Sequence, residues 1–471
     1  MKLTRRTALV GMGSIAASAV MPPLGRAGTA PVRLTAGAGA VRLVSDMAVD
    51  TPVWCYDGQV PGPLIRTKQG QAVTVDVRND LSEATTVHWH GLRGDNAMDG
   101  VPYLTQAPIA PGETFPYTVD VPDAGTFWYH PHLSGSQQIG RGLYGAVIVD
   151  GADPIAVDRD VLWVLDDWRL DEDATIHESF GNGHDGSHGG RLGNVATING
   201  TPQEVFDVTP GERIRLRLLN TANARVFGLE FKGHDAWIVA MDGHPVSPTL
   251  LGDGRVTLGP GQRADLIIDM MADPATEHPI IDGHYARQTY QLAVFRYREG
   301  QTTRKHEPPR QEAANPVPEP DLANPLRFNL TFDGGAMRGF EQGILNGETL
   351  GFREIAQRGF FWTVNGVVRP PLGPNSPKMP LASVPVGRTA QVRITNNTAW
   401  EHPVHLHGFA FRVLAINGKP PAINARLDTI LLGADDVADI AFVCDRLGDW
   451  AFHCHILEHQ ESGMMGFVRV G

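Results

Sequence analysis

Short runs of alternating apolar and polar residues dominate the chain. Residues 72–77 (A-V-T-V-D-V), 213–218 (R-I-R-L-R-L) and 389–394 (T-A-Q-V-R-I) are examples, and Pro, Gly, Asn or Asp bounds most such runs. A period of two puts alternate side chains on opposite faces of an extended backbone, so these runs predict antiparallel strands. Long helical periodicity is scarce. The fold class that follows is all-β, a sandwich or barrel.

A weak internal echo divides the chain. Residues 56–63 (YDGQVPGP), 198–204 (INGTPQE) and 364–371 (VNGVVRPP) resemble one another, and each precedes an alternating strand that ends at Asn79, Asn220 or Asn396. Three copies of one β unit are expected, over residues 31–152, 153–306 and 326–471. A proline-rich stretch without strand pattern, residues 307–325, reads as an extended linker. The 471 residues hold 53 glycines and 35 prolines, above the usual share, and their spread fits turns between many strands.

Residues 1–30 are set apart. Arg5 and Arg6 precede a mild apolar run, Ala8 to Val20, and small residues follow up to a cut after Ala27 or Ala30. This looks like a twin-arginine export signal, which implies a periplasmic protein. The run is too short to span a bilayer, and no membrane insertion is expected. Its removal takes away four basic residues and no acid, deepening the net charge from −12 to −16. An acidic chain lacks the basic footprint of a nucleic-acid binder. Three cysteines exclude a disulfide-built scaffold.

Chemistry concentrates in the histidines. Ten of the 18 lie in four clusters: His88 and His90; His130 and His132; His402, His405 and His407; His453, His455 and His459 around Cys454, with Met464 beyond. On a strand, residues i and i+2 share a face, so each His-x-His pair aims two imidazoles at one place. Cys454 then points away from His453 and His455, and His402 can point away from His405 and His407. Two sets result. His402, Cys454, His459 and Met464 can meet on one side: two imidazoles, a thiolate and a thioether, the pattern of a blue-copper electron-transfer centre. The other eight imidazoles can meet on the other side. They are too many for one tetrahedral ion and suit a cluster of two or three. The peptide at Cys454 joins the two sets covalently and offers electrons a path between them.

These clusters resemble those of the multicopper oxidases, laccases and bacterial cuprous oxidases with three cupredoxin domains. The resemblance implies three cupredoxin-like Greek-key domains and four copper ions. It implies type 1 copper at His402, Cys454, His459 and Met464, and type 2 copper at His88 and His405. It implies a type 3 pair on His90, His130 and His455, and on His132, His407 and His453. The implied reaction takes one electron at a time from a donor and reduces dioxygen to water. Asp99, followed by Gly100, stands where this family carries an acid beside the type 2 copper, and is expected to donate or relay protons. Gln460 stands where bacterial relatives often carry an acid, with Glu461 next. Asp428 reads either as a group that orients a ligand imidazole or as a turn acid.

The donor is less sharply written. The 12 methionines form no run, and Thr398 and Trp400 precede His402 where a metal-ion oxidase would carry an acid and a thioether. That favours phenols or aromatic amines reaching an open edge of His459, with Met337 and Met379 as approaches for a metal-ion donor. The alternatives are a cuprous or other metal-ion oxidase, a copper-tolerance protein whose role is binding, and an envelope structural protein that lost its metals. A two-domain nitrite reductase would not need eight cluster histidines. Residues 181–193 read as a flexible exposed loop, with metal loading by His184, Asp185 and His188 the alternative. His234, His244, His278, His284 and His306 show no ligand spacing. Cys55 and Cys444 read as buried free thiols. A monomer is expected.

Overall fold

In the computed structural model, residues 31–45, 47–202, 204–252, 254–300 and 305–471 are described; the export-signal expectation lies outside them. The chain builds three β-sandwich units, each of two packed sheets with mixed strand pairing, the third with an added hairpin of Gln342–Leu345 and Glu348–Gly351. In each, the first strand runs parallel to the one that ends in asparagine: Val32–Val41 beside Val73–Asn79, Arg159–Trp168 beside Arg213–Asn220, and Leu326–Gly334 beside Thr389–Asn396. Non-consecutive neighbours throughout the sheets mark Greek-key crossovers. Three separate apolar cores fill the sandwiches.

The repeat is written in hydrogen bonds. Asp57, Asn199 and Asn365 each adopt a left-handed conformation before a glycine that does the same, a turn of the kind that joins hairpins. Their side chains accept from Thr35, Val164 and Thr331 at 2.7–2.9 Å. The strand-end asparagines repeat a second pattern. The Nδ2 of Asn79, Asn220 and Asn396 each donates to two carbonyls at 2.7–2.9 Å. Each Oδ1 accepts from the amide two residues on. A buried carboxamide that satisfies three backbone groups locks the same corner three times.

The chain between the second and third units has no helix or strand over residues 305–325, yet it is tied down. Asn315 exchanges two bonds with Ala124, Glu312 accepts from Arg215, and Glu319 takes a bidentate pair from Arg412. It therefore acts as a strap across all three units. No helix among the described residues is long and apolar enough to cross a membrane.

Candidate metal centre

Two strands of the third unit set the geometry. His402–Leu406 pairs with Gly448–Cys454, so that Val404 faces Cys454 and His405 faces His453. Alternation along both strands splits the side chains between two pockets. On one side, Cys454 Sγ lies 3.4 Å from His402 Nδ1 and 3.7 Å from His459 Nδ1, and the two Nδ1 atoms are 3.1 Å apart. The opposite ring nitrogens are engaged. His402 Nε2 meets the Thr398 hydroxyl at 2.9 Å, and His459 Nε2 donates to the His188 carbonyl at 2.6 Å. Both Nδ1 atoms are thus left to face the sulfur. Met464 is buried in the same core; its carbonyl accepts from Cys454 N–H and its N–H donates to the His459 carbonyl.

On the other side the eight remaining imidazoles converge between the first and third units. Strand His88–His90 pairs with Gly125–His130, bringing His88 opposite His130. Three triads have ligand atoms within 4.8 Å of one another: His88, His90 and His405; His90, His130 and His455; His132, His407 and His453. In the last, His453 Nε2 lies 3.0 Å from His407 Nε2 and 3.3 Å from His132 Nε2. Two imidazole nitrogens on one ion, each at about 2.0–2.1 Å, sit roughly 3–3.5 Å apart.

Acids and carbonyls hold the far side of these rings. Asp99 takes His407 Nδ1 on its carboxylate and His88 Nδ1 on its backbone carbonyl, at 2.9 and 2.8 Å. Gly100 makes this turn possible: at φ +79° a Cβ there would strike the Val87 carbonyl. Asp428 accepts from His90 Nε2 on its carboxylate and from His405 Nδ1 on its carbonyl, at 3.1 and 2.9 Å. The middle unit contributes no imidazole here, but it supplies Arg263. That fully buried guanidinium grips Asp428 with two bonds of 2.8 and 2.6 Å and reaches the Thr126 carbonyl of the first unit. Gly261, at φ +85°, lets the same loop pass close to the rings: a Cβ there would lie 3.0 Å from His455 and His90.

The donors fit metal. His88 Nε2, His90 Nδ1, His130 Nε2, His405 Nε2 and both nitrogens of His455 are buried without a hydrogen-bond partner. Such orphaned nitrogens would be costly unless an ion uses them. Burial, and then the neighbouring imidazoles, depress His130, His132, His407, His453 and His455 well below the ordinary histidine range. Neutral rings are the ligand form. Burial likewise brings His459 down to about 3 and pushes the Cys454 thiol up, so metal must displace a proton from sulfur. Burial alone would raise Asp428, but Arg263, His90 and His405 hold it well below the carboxylate range.

The ten histidines and Cys454 singled out as candidate ligands therefore lie at these two pockets, Met464 is joined to Cys454 and His459 through its backbone, and Asp99 and Asp428 touch the rings of the second. Gln460 reaches His132 only at 3.5 Å, while Glu461 is tied to Ser136. Cys55 and Cys444 are buried and free. Two expectations are corrected. His459 is not open to solvent: it is fully buried under residues 181–193, whose backbone caps its ring. That segment is not a slack loop but carries a short helix, Gly183–Ser187, and Asp185 is locked by Arg169 rather than free for metal. Sequence reasoning missed Arg263 and the His188 carbonyl, since nothing local marks a residue that acts from another unit. It named Thr398 only as a non-acid ahead of His402 and missed its bond to that ring, for which the hydroxyl's polarity was the available signal.

Three sequence-family models, each described as multicopper oxidase, match residues 39–154, 159–300 and 352–471. The multicopper oxidase MmcO of Mycobacterium tuberculosis is 29% identical over 95% of this chain and 88% of its own length. Laccase-1 of Botryotinia fuckeliana is 28% identical over 88% of this chain and 78% of its own. The crystal structure of a multicopper oxidase from Pseudomonas thermotolerans superposes with a TM-score of 0.82 at 32% identity, covering 94% of this chain and 99% of that one. With three cupredoxin-type sandwiches and two pockets whose donors suit copper, the chain belongs to the multicopper oxidase family and is a copper-dependent oxidoreductase.

Proposed function

We propose that the chain couples four one-electron oxidations of a small reducing substrate to the reduction of dioxygen to water, with phenols and aromatic amines as the leading donor class. His402, Cys454, His459 and Met464 would hold type 1 copper, and His88 and His405 type 2 copper. His90, His130 and His455 would hold one type 3 ion, and His132, His407 and His453 the other. Bound there, copper supplies one-electron acceptance at the thiolate pocket and multi-electron delivery to dioxygen at the second. The observation that carries the reading is the placement of one thiol beside His402 and His459 while its two sequence neighbours each join a different triad of imidazoles, His453 that of His132 and His407, His455 that of His90 and His130.

The side chains divide the remaining work. Cys454 is the covalent bridge between pockets. Asp99 holds the Nδ1 atoms of His88 and His407 and, as a buried acid beside them, is proposed to pass protons inward. Asp428 and Arg263 fix the orientation of His90 and His405. Because His459 is capped, a donor would give up its electron at the protein surface above residues 181–193 instead of on the ring edge. The likeness to a protein named laccase supports the phenol class. The unit boundaries 31–152, 153–306 and 326–471, export by the twin-arginine route to the periplasm, and a monomeric state belong to the same proposal.

Dioxygen uptake by the copper-loaded enzyme with a phenol tests it. One dioxygen should be consumed per four phenols oxidised, with water as product. Hydrogen peroxide as the main product, or no uptake with any donor, would refute the coupling.

A further inference from the structure

The strap between the second and third units borders a cleft of about 320 Å³ where those units meet. The middle unit lines it from strand His244–Leu250, the third unit with Arg412 and Arg426, and the strap with Asn315 and Glu319. Most of the charge around it is paired. Arg412 gives Nε and Nη2 to Glu319, at 2.8 and 2.7 Å, and Nη1 to the Asn424 side chain at 2.8 Å. Arg93, whose charge is felt by Arg426, is held by both carboxylate oxygens of Asp123 and by the Pro316 carbonyl.

Two donors are left over. The Arg426 side chain is only 10% exposed; its Nη2 lies 2.7 Å from Glu319, and its Nη1 is buried without a hydrogen-bond partner. His244 is buried as well. Its Nδ1 accepts from the Asn315 carboxamide nitrogen at 3.1 Å, so the ring proton sits on Nε2, and that buried N–H has no partner. The Asn315 orientation is fixed, because its oxygen accepts from Ala124 N–H at 2.8 Å. Burial brings His244 down to about 4 and so keeps the ring neutral. Glu319 is the one carboxylate among the lining residues, against two guanidiniums. The cleft is therefore net positive in a chain of net charge −12, and what it lacks is a further acceptor.

We propose that this cleft binds an oxyanion of the phosphate class, free or as the head of a small ester, held by Arg426 Nη1 and the His244 N–H. A guanidinium and an imidazole N–H are donors, so the site rejects cations, and a tetrahedral oxyanion offers acceptors in several directions at once. The volume stands at the lower end for small-molecule sites. Bound there, the anion ties strand His244–Leu250 to strand Arg426–Leu427 beside the strap and clamps the junction of the middle and third units. The walls continue to the eight-ring pocket. Asp242, two residues before His244, accepts from the Asp428 and Thr429 N–H groups at 3.2 and 3.1 Å, and Asp428 follows Arg426 by two residues. The site stands apart from the metal ligands and does not depend on the oxidase reading.

The test titrates copper-loaded enzyme calorimetrically with inorganic phosphate and with glycerol phosphate, against a chloride background of about 0.1 M that screens loose ion pairing. Binding is expected, and the tighter of the two ligands names the source. Affinity should fall at least roughly tenfold in Arg426→Met. It should rise roughly threefold or more in Glu319→Gln, which removes the carboxylate that competes for the same guanidinium. Opposite signs at two neighbouring residues are not the mark of a misfolded variant. Phosphate should also raise the melting temperature of the wild type and leave that of Arg426→Met in place. The electron paramagnetic resonance signal of the copper should not respond to phosphate. Failure of both ligands to bind wild type and Glu319→Gln, or equal affinity in Arg426→Met, would overturn the site. So would a phosphate-dependent change in the copper signal that Arg426→Met retains, since that places the anion on the metal.

Discussion

The two pockets use the same ring and treat its second nitrogen differently. In the thiolate pocket, the far nitrogens of His402 and His459 bond neutral groups, a threonine hydroxyl and a peptide carbonyl. In the eight-ring pocket, His88, His405, His130 and His453 also bond carbonyls, but His407 and His90 bond carboxylates, and a buried arginine backs one of them. The contrast matches the tasks. A site that only accepts and passes single electrons is served by fixed neutral partners that need no proton. Under the proposed roles, the site that gathers protons would be served by acids within reach of the rings, and those acids would help to offset the positive charge of several ions.

The comparison breaks hardest in acid. Burial brings His234 and His244 down to about 4, and rings of the eight-ring pocket such as His130 and His132 well down too. The unfolded chain binds these protons near pH 6.5 and the folded chain does not, so stability is full above about 6.5 and falls from there toward 4. His234 and His244 alone carry about 3 kcal/mol apiece at the acid end. The melting temperature of the copper-depleted protein should be level from pH 8 to 6.5 and fall steeply below. A flat profile down to pH 4 would contradict the neutral-ring picture.

Smaller changes sharpen it. Asp99→Asn should cut turnover roughly a hundredfold or more, since a general acid contributes about 10²–10⁴. Its copper content should stay near normal, because a carboxamide oxygen still accepts from His407. Full activity in stopped-flow reoxidation would remove Asp99 from proton delivery. Arg263→Met leaves the Asp428 charge unpaired. It should weaken copper retention in the eight-ring pocket roughly 10–100-fold while the thiolate pocket keeps its metal, as copper counts and the near-ultraviolet shoulder would report. Thr398→Val removes one neutral hydrogen bond from His402. An effect worth about 1 kcal/mol on the type 1 reduction potential is expected, with dioxygen kinetics unaltered.

The parts legible in the sequence are those written by local periodicity. His402, His405, His407 and Cys454 could be sorted to opposite pockets because two strands alternate, and the strand-end asparagines announced three repeats because each repeat solves one corner in one way. What was illegible acts through the backbone or from afar. The middle unit bears none of the twelve candidate copper ligands, so nothing in its sequence signals that Arg263 and Gly261 abut the eight-ring pocket. The His188 carbonyl is a feature every residue has, and only the fold directs this one at His459. Residues 181–193 read as slack because glycine is common there; their order comes from tertiary bonds to Arg169, Trp362 and Ala336.

The division of labour at Cys454 is tested most directly by the absorption spectrum of the copper-loaded Cys454→Ser variant beside that of the wild type. The wild type should show an intense blue band and a near-ultraviolet shoulder; the variant should lose the blue band with one equivalent of copper and keep the shoulder. A blue band that survives the substitution, or loss of both features together, would contradict two pockets served by opposite faces of one strand.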